Sequence, residues 1–361
     1  DLNWMAGSQY VYSFGKCIFM PADLTAGIEF NQDKLEDNMW GYHRTVDQKV
    51  NIGSAFFQNE WKNEHWGFLI GGRLDKHNLI DHVIFSPRAN LRYNPTENIN
   101  LRFSYSSGFR APQAFDEDLH VENVGGNVAM VELVDNLKEE RSQSLSASAD
   151  IYHRFGAFQV NFLVEGFYTK LSDVFALTDG EVVDGILTRT RYNAPGARVM
   201  GLTLEGKMAY LTKFQVQAGV TLQQSHYSEP HVWNKEAPAV KKMMRTPNTY
   251  GYFTATYTPI KPLSIALSGT YTGSMLVPHE PVPGFLEKPI TVNTKDFFDI
   301  GLKAAYDFKL YKSMNLQVNA GVQNIFNAYQ NDFDKGADRD SGYIYGPSLP
   351  RSFFAGVKIS Y

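Results

Sequence analysis

The chain has 361 residues and a formal net charge of -4, with 43% apolar and 14% aromatic residues. That length allows one large barrel or two to three ordinary domains. The near-neutral balance offers no basic surface for nucleic acid, and no run of about 18 apolar residues provides a transmembrane helix.

In chain order, apolar and polar residues alternate with period two. This predicts strands near 3–13, 23–32, 48–61, 66–77, 84–93, 98–109, 141–154, 158–170, 188–210, 214–225, 247–258, 263–273, 295–308, 314–325 and 351–361. In one of them Leu145, Ala147, Ala149 and Ile151 alternate with Ser144, Ser146, Ser148 and Asp150. In another, Val216, Ala218, Val220 and Leu222 alternate with Gln215, Gln217, Thr221 and Gln223. Helical spacing fits neither. Each of these about fifteen segments has the length that crosses a bilayer at a tilt.

The predicted connections alternate in length. Short ones lie at Lys62–His65, Asn94–Glu97, Gly156, Leu211–Lys213, Pro259–Pro262 and Lys309–Ser313. Long ones lie near 33–47, 110–140, 177–187, 226–246, 274–294 and 326–350. A membrane barrel sorts its connections this way, with tight turns on the periplasmic side and long loops outside. Aromatic residues gather near strand ends, among them Trp4, Tyr12, Trp61, Trp66, Tyr93, Tyr257 and Tyr306. Amphipathic rings favour the headgroup zone. The expected fold is all-β: a transmembrane antiparallel barrel.

The last strand ends on Tyr361, and its alternation resembles the signal read by the outer-membrane barrel assembly machinery. A barrel whose last strand runs to the periplasm, counted back through about fifteen strands, begins at the outer face. No cleavable leader is visible at Asp1-Leu2-Asn3-Trp4. The expectation is therefore that residues 1–361 are the C-terminal portion of a larger barrel. Cys17, the one cysteine, reads as a small buried or turn residue.

Several segments resemble TonB-dependent outer-membrane receptors. They are Asn100 to Pro112, with its Phe109-Arg110-Ala111-Pro112 box; Asp135-Asn136-Leu137-Lys138-Glu139-Glu140-Arg141-Ser142; Tyr192-Asn193-Ala194 followed by Gly201-Leu202-Thr203-Leu204-Glu205; Gly321 to Asn327; and Pro350 to Gly356. Asp135 and Glu139 depart from the family's pattern. The loop ending Gly342-Tyr343-Ile344-Tyr345-Gly346-Pro347 looks most like receptors of Bacteroidetes. The resemblance implies a barrel of about twenty-two strands around a plug domain. It also implies active uptake of a large scarce nutrient (an iron–siderophore, haem or cobalamin), the TonB complex as partner, and the outer membrane of a Gram-negative bacterium as location. The plug and the TonB-coupling box have no counterpart in these residues. A passive porin-like channel and a surface-binding barrel are the alternatives.

Candidate ligand residues follow. His120 lies between two of the family-like boxes, where haem receptors resembling this family place an iron-binding His; an ordinary loop contact is the other reading. Loop 226–246 holds His226, His231, Trp233 and Met243, a set that could hold a large flat ligand or be a solvated loop. Asp332, Asp334, Asp338 and Asp340 could bind a hard cation, or simply build turns. Gln215, Gln217, Gln223, Asn319 and Gln323 would face a plug or hydrated space. No G-x-S-x-G, H-E-x-x-H or phosphate-cradling glycine loop is present, so no enzyme, resident cofactor or metal site is expected.

Overall fold

The computed structural model describes residues 1–113, 122–124, 127–134, 136–311, 313–347 and 349–361, without side chains at 122–124, 127, 129 and 179–181. Fifteen long strands form one antiparallel meander. They are β1 (Leu2–Cys17), β2 (Met20–Met39), β3 (Arg44–Lys62), β4 (Trp66–His77), β5 (Ile84–Thr96) and β6 (Ile99–Arg110), followed by β9 (Glu140–Phe155), β10 (Phe158–Val183), β11 (Ile186–Tyr210) and β12 (Phe214–His231). The series ends with β14 (Thr249–Ile260), β15 (Leu263–Thr272), β18 (Phe297–Tyr311), β19 (Met314–Gln323) and β20 (Ser352–Ser360). Each long strand pairs with the next, from β1–β2 through β19–β20. Among the described residues β1 and β20 do not pair with each other, so the sheet is a curved wall with two edges.

Every predicted strand corresponds to one of these fifteen. Five shorter strands lie in the connections: β7 (Glu122–Val124), β8 (Asn127–Leu133), β13 (Val240–Lys242), β16 (Leu276–His279) and β17 (Ile290–Asn293). On one rim the connections are two or three residues long, at 18–19, 63–65, 97–98, 156–157, 211–213, 261–262 and 312–313. β1 and β20 both run toward this rim.

The opposite rim corrects two expectations. Segments 33–47 and 177–187 are mostly strand, not loop. β2 and β3 stay paired to Met39↔Arg44, around a short turn that includes the 3-10 segment Trp40–Tyr42. β10 and β11 stay paired to Val183↔Ile186. The ladder continues above the bilayer band because its hydrogen bonds need no apolar face. Water on both sides merely erases the alternation that marks a strand in sequence.

The pleat sends alternate residues to opposite faces. One face carries exposed Leu145, Ile151, Phe158, Phe162, Leu202 and Leu222. The other carries Ser144 bonded to Thr169, Thr203 bonded to Thr221, and Gln217 bonded to Glu205 at 2.9 Å and to the Tyr252 hydroxyl at 2.7 Å. Oily residues are the exposed ones and polar residues the paired ones. This is inverted relative to a water-soluble protein and fits a wall between hydrocarbon and a wet lumen. In the lumen Arg73 bonds Asp75, Glu29 and Ser54, all at 2.7–2.8 Å.

The short-turn rim carries an aromatic girdle. Trp66 stacks on Tyr93 at 4.2 Å, Phe19 on Trp61 at 5.6 Å, and Phe158 meets Tyr210 at 4.6 Å. Cys17 is partly buried there, its carbonyl accepting the Trp61 indole N–H at 3.0 Å.

Candidate ligand-binding chamber beneath the loops

Part of the β19–β20 connection folds against the polar inner face, with Tyr345–Pro347 beside Thr270, Thr272 and Asp299. The β19–β20 connection leaves the wall at Asn324, a buried residue with φ of 49°. Its side-chain amide donates to the carbonyls of Ala328 and Leu349 at 2.9 and 3.0 Å, which pins both ends of the loop. Asn327 Oδ1 accepts the Arg351 backbone N–H at 2.9 Å. The two family-like segments at Gly321–Asn327 and Pro350–Gly356 are thus one clasp. A second clasp joins two more: Asn193 donates to the carbonyls of Lys138 and Asp173 and accepts the Lys138 N–H, at 2.8–3.0 Å. Beside it the off-pattern Glu139 is buried and bonded to Arg141 at 2.6 Å and His82 at 3.0 Å. Burial pushes the Glu139 carboxyl up, but hydrogen bonds from Arg141 and the backbone and the nearby positive charges outweigh it, holding the pKa below the usual glutamate value.

A larger network ties three connections to one another and to the loop-rim end of β11. Arg189 pairs with Glu280 at 3.0 Å, and Asn234 donates to the same carboxylate at 2.8 Å. The Glu280 backbone N–H donates to Asp340 at 2.9 Å. His279 Nε2 lies 2.9 Å from Asp334, and its ring stacks on Tyr343 at 3.8 Å and 6°. The hydroxyls of Tyr343 and Tyr345 donate to Asp332 at 3.2 and 2.5 Å. Beneath them Met275, Val277 and Tyr343 form a small dry core. Burial first, and the Asp332 carboxylate second, push the Tyr343 phenol up to about 12. Tyr345 is raised as well, again mainly by burial.

Asp332, Asp334 and Asp340 are therefore occupied as acceptors for loop donors. Among the described residues no group of three His, Cys, Asp or Glu side chains is arranged to hold a metal. The turn-building reading of the acidic run is the one the geometry fits.

Three adjoining cavities, which share lining residues such as Pro347, Leu349 and Pro350, lie along this network. One of about 560 Å³ is lined by Tyr329, Phe333, Asp334, Arg339, Tyr343 and Ile344. One of about 380 Å³ lies between Tyr345–Pro347 and the inward-facing Thr270, Thr272 and Asp299. One of about 550 Å³ continues down the wall past Tyr252, Thr254, Ser268 and Gln323. Together they offer aromatic surface, the Arg339 guanidinium and several acceptors.

The sequence-nominated residues are dispersed. His120 lies outside the described residues. His231 ends β12 with its ring 4.8 Å from Tyr227. Trp233 is buried, and its indole N–H has no hydrogen-bond partner among the described residues. Met243 is part-buried, its N–H donating to the Ser225 carbonyl at 3.0 Å. His226 pairs with Arg198 and shares the outward face with Leu222, away from Tyr227. None of the four described residues lines the cavities under the roof. Sequence reading missed His279, Glu280, Arg189 and Asn234, whose partners lie 46 to 91 residues away.

A family model described as TonB dependent receptor-like, beta-barrel matches residues 1–325, and the chain belongs to that family. That is a family of receptors and transporters rather than enzymes. Solved structures give the same fold. The siderophore receptor PirA from Acinetobacter baumannii superposes with a TM-score of 0.69 at 16% identity, over 98% of this chain and 54% of that one. A ferric enterobactin receptor (PfeA) variant from Pseudomonas aeruginosa, in complex with enterobactin, gives 0.71 at 18%, again over 98% and 54%. The copper transporter OprC gives 0.65 at 14%, over 98% and 56%. The chain spans about half the length of these proteins. Comparison with curated proteins gives no match.

Proposed function

We propose that this chain forms part of the wall of an outer-membrane receptor that actively imports a large, scarce nutrient, a metal chelate or vitamin such as an iron–siderophore, haem or cobalamin. The observation that carries the proposal is the loop rim. Three connections and the end of β11 are joined by buried polar contacts into a roof beside aromatic-lined cavities that adjoin a polar inner wall. A passive pore needs no such roof. A pure adhesion surface needs no hydrated inner wall beneath it.

The two sheet edges support a second part of the proposal. Unpaired edges are not tolerated in hydrocarbon, so these fifteen strands are proposed to be the C-terminal portion of a larger closed barrel. The remaining strands, a plug and the TonB contact would come from outside residues 1–361, with assembly through the barrel assembly machinery reading the last strand. His231, Trp233 and Met243 are proposed as cargo contacts at the mouth, and His120, on family resemblance alone, as a haem-iron ligand.

The test is growth and binding. Deletion of the gene should abolish growth on one chelated-metal or vitamin source, and the intact protein should bind that compound saturably. A deletion strain with unchanged growth on every such source, together with steady ion conductance of the intact protein in planar bilayers, would make it a passive channel. For the haem variant, His120→Ala should weaken haem binding and alter its absorption spectrum. Unchanged affinity and spectrum would end the idea.

A further inference from the structure

In-register neighbours across a sheet share a face. On the outward face of β9–β12, one such row is Ala147, Gly166, Leu202 and Leu222. The next row toward the loop rim is Leu145, Tyr168, Met200 and Gln224. Gly166 contributes no side chain, and an added Cβ there would meet nothing within 4 Å. The result is a groove of about 840 Å³, floored by Gly166 and Ala147 and walled by Phe103, Leu145, Met200 and Leu222. It opens to the side of the wall that faces hydrocarbon.

One row higher the chemistry changes. Lys170 pairs with Arg198, Arg198 with His226, and His226 with Lys242. Four basic side chains thus stand side by side on four adjacent strands, spanning about 14 Å at the usual strand spacing. Lys170 and Arg198 are exposed, and His226 and Lys242 are part-exposed. Among the described residues none of the lysines or the arginine forms an ion pair. An apolar groove topped by a row of cations without carboxylates has the shape and charge of one kind of occupant: an anionic amphiphile, tail down and headgroup up.

We propose that β9–β13 hold a phosphate-bearing lipid of the surrounding leaflet, with an acyl chain in the groove over Gly166 and its headgroup against Lys170, Arg198, His226 and Lys242. The inference rests on the reading of this sheet as a membrane wall. The lipid is bound on the outside of that wall, so the site is separate from the cargo chamber.

The experiment uses the intact protein purified from outer membranes and scored by native mass spectrometry. Its probes are a diphosphorylated lipid A glycolipid, the same glycolipid with both phosphates removed, and inorganic phosphate alone. The wild type should retain the diphosphorylated lipid preferentially. Lys170→Gln, Arg198→Gln and Lys242→Gln combined should weaken retention about a hundredfold, since each cation near an anionic headgroup counts for roughly fivefold. Gly166→Trp should weaken it without any change in charge. Heat-modifiable migration on gels should be wild-type for both variants, confirming a folded barrel. Equal retention by wild type and triple variant, equal retention of the dephosphorylated lipid, or saturable binding of inorganic phosphate of equal strength would each overturn the proposal. Loss of membrane localisation or heat-modifiability in the wild type would instead overturn the membrane reading beneath it.

Discussion

At the turn rim each hairpin closes in two or three residues and the stabilising contacts are between near neighbours, such as Trp66 with Tyr93 across one strand pair. At the loop rim the contacts join segments far apart in the chain, as with Arg189 and Glu280 or Arg245 and the Gly342 carbonyl. The first rim is a local hairpin repeated seven times, and the wall between is strand paired to the next strand throughout. On the second, beyond the β2–β3 and β10–β11 hairpins, the roof is a non-local structure made once. Damage should therefore spread differently: a fault in the wall should cost assembly, whereas a fault in the roof should free the loops and leave the wall standing.

The largest effect is expected in the wall. A Cβ at Gly321 would lie 2.5 Å from the Leu302 carbonyl oxygen and 2.5 Å from the Phe354 ring. Neither neighbour can yield easily, because one is backbone and the other packs on the glycine from the adjacent strand. Gly321→Val should cost about 3 kcal/mol through overpacking. Heat-modifiability of the barrel on gels checks it, and a normal folded band at normal melting temperature would contradict the idea that the pleat is this tightly filled.

Next is the roof. Glu280 is buried and serves Arg189 and Asn234 together. Glu280→Ala removes one member of a mostly desolvated pair and should cost about 3 kcal/mol locally. The expected readout is faster proteolysis within 232–248 and 273–296, with barrel melting unchanged. If barrel melting falls with it, the two regions are coupled and the contrast drawn above is wrong.

The same contrast explains what was legible in the sequence. All fifteen wall strands were, because hydrocarbon on one side and water on the other write a period-two signal into each segment by itself. Where both faces are wet, as at Glu36-Asp37-Asn38, the signal disappears although the ladder continues. The roof was not legible at all. His279, Glu280 and Asn234 sit in unremarkable local sequence, and only folding brings them to Asp334, Arg189 and one another. The acidic run at 332–340 was visible, but as a row of carboxylates it could not say whether its donors would be a cation or tyrosine hydroxyls. The family-like boxes were visible as text without a physical reason. The structure supplies one: Asn193 and Asn324 each satisfy several backbone groups where a loop meets the wall.

Those clasps stand between the two regions, so they sharpen the comparison. Asn193 makes three hydrogen bonds to Lys138 and Asp173. Asn193→Ala should cost about 2 kcal/mol, since part of the loss is recovered by water. Hydrogen exchange should quicken around 136–139 and 172–174 and stay slow in the turn-rim half of β10. Uniform exchange along β10 would mean that the clasp has no local role.

The smallest effect at physiological pH, and the most specific, concerns the phenols. The Tyr343 phenol is buried beside the Asp332 carboxylate and is pushed up to about 12 from the ordinary 10. Tyr345 moves in the same direction. A raised phenol pKa means that the folded roof resists ionisation that the opened loop accepts freely near pH 10. The contribution of Tyr343 to loop order is therefore fully present below pH 10 and lost as pH rises toward 12. The Tyr343 contribution itself should not change between pH 6 and 9. Protease resistance of loop 324–351 should fall between pH 10 and 12 in the wild type, while the turn rim, which lacks such a buried phenol–carboxylate pair among the described residues, stays resistant. Tyr343→Phe should lower resistance slightly at neutral pH and flatten that part of the alkaline decline. A decline of the same size in the Phe variant would place the sensitivity elsewhere and remove Tyr343 from the roof's list of fasteners.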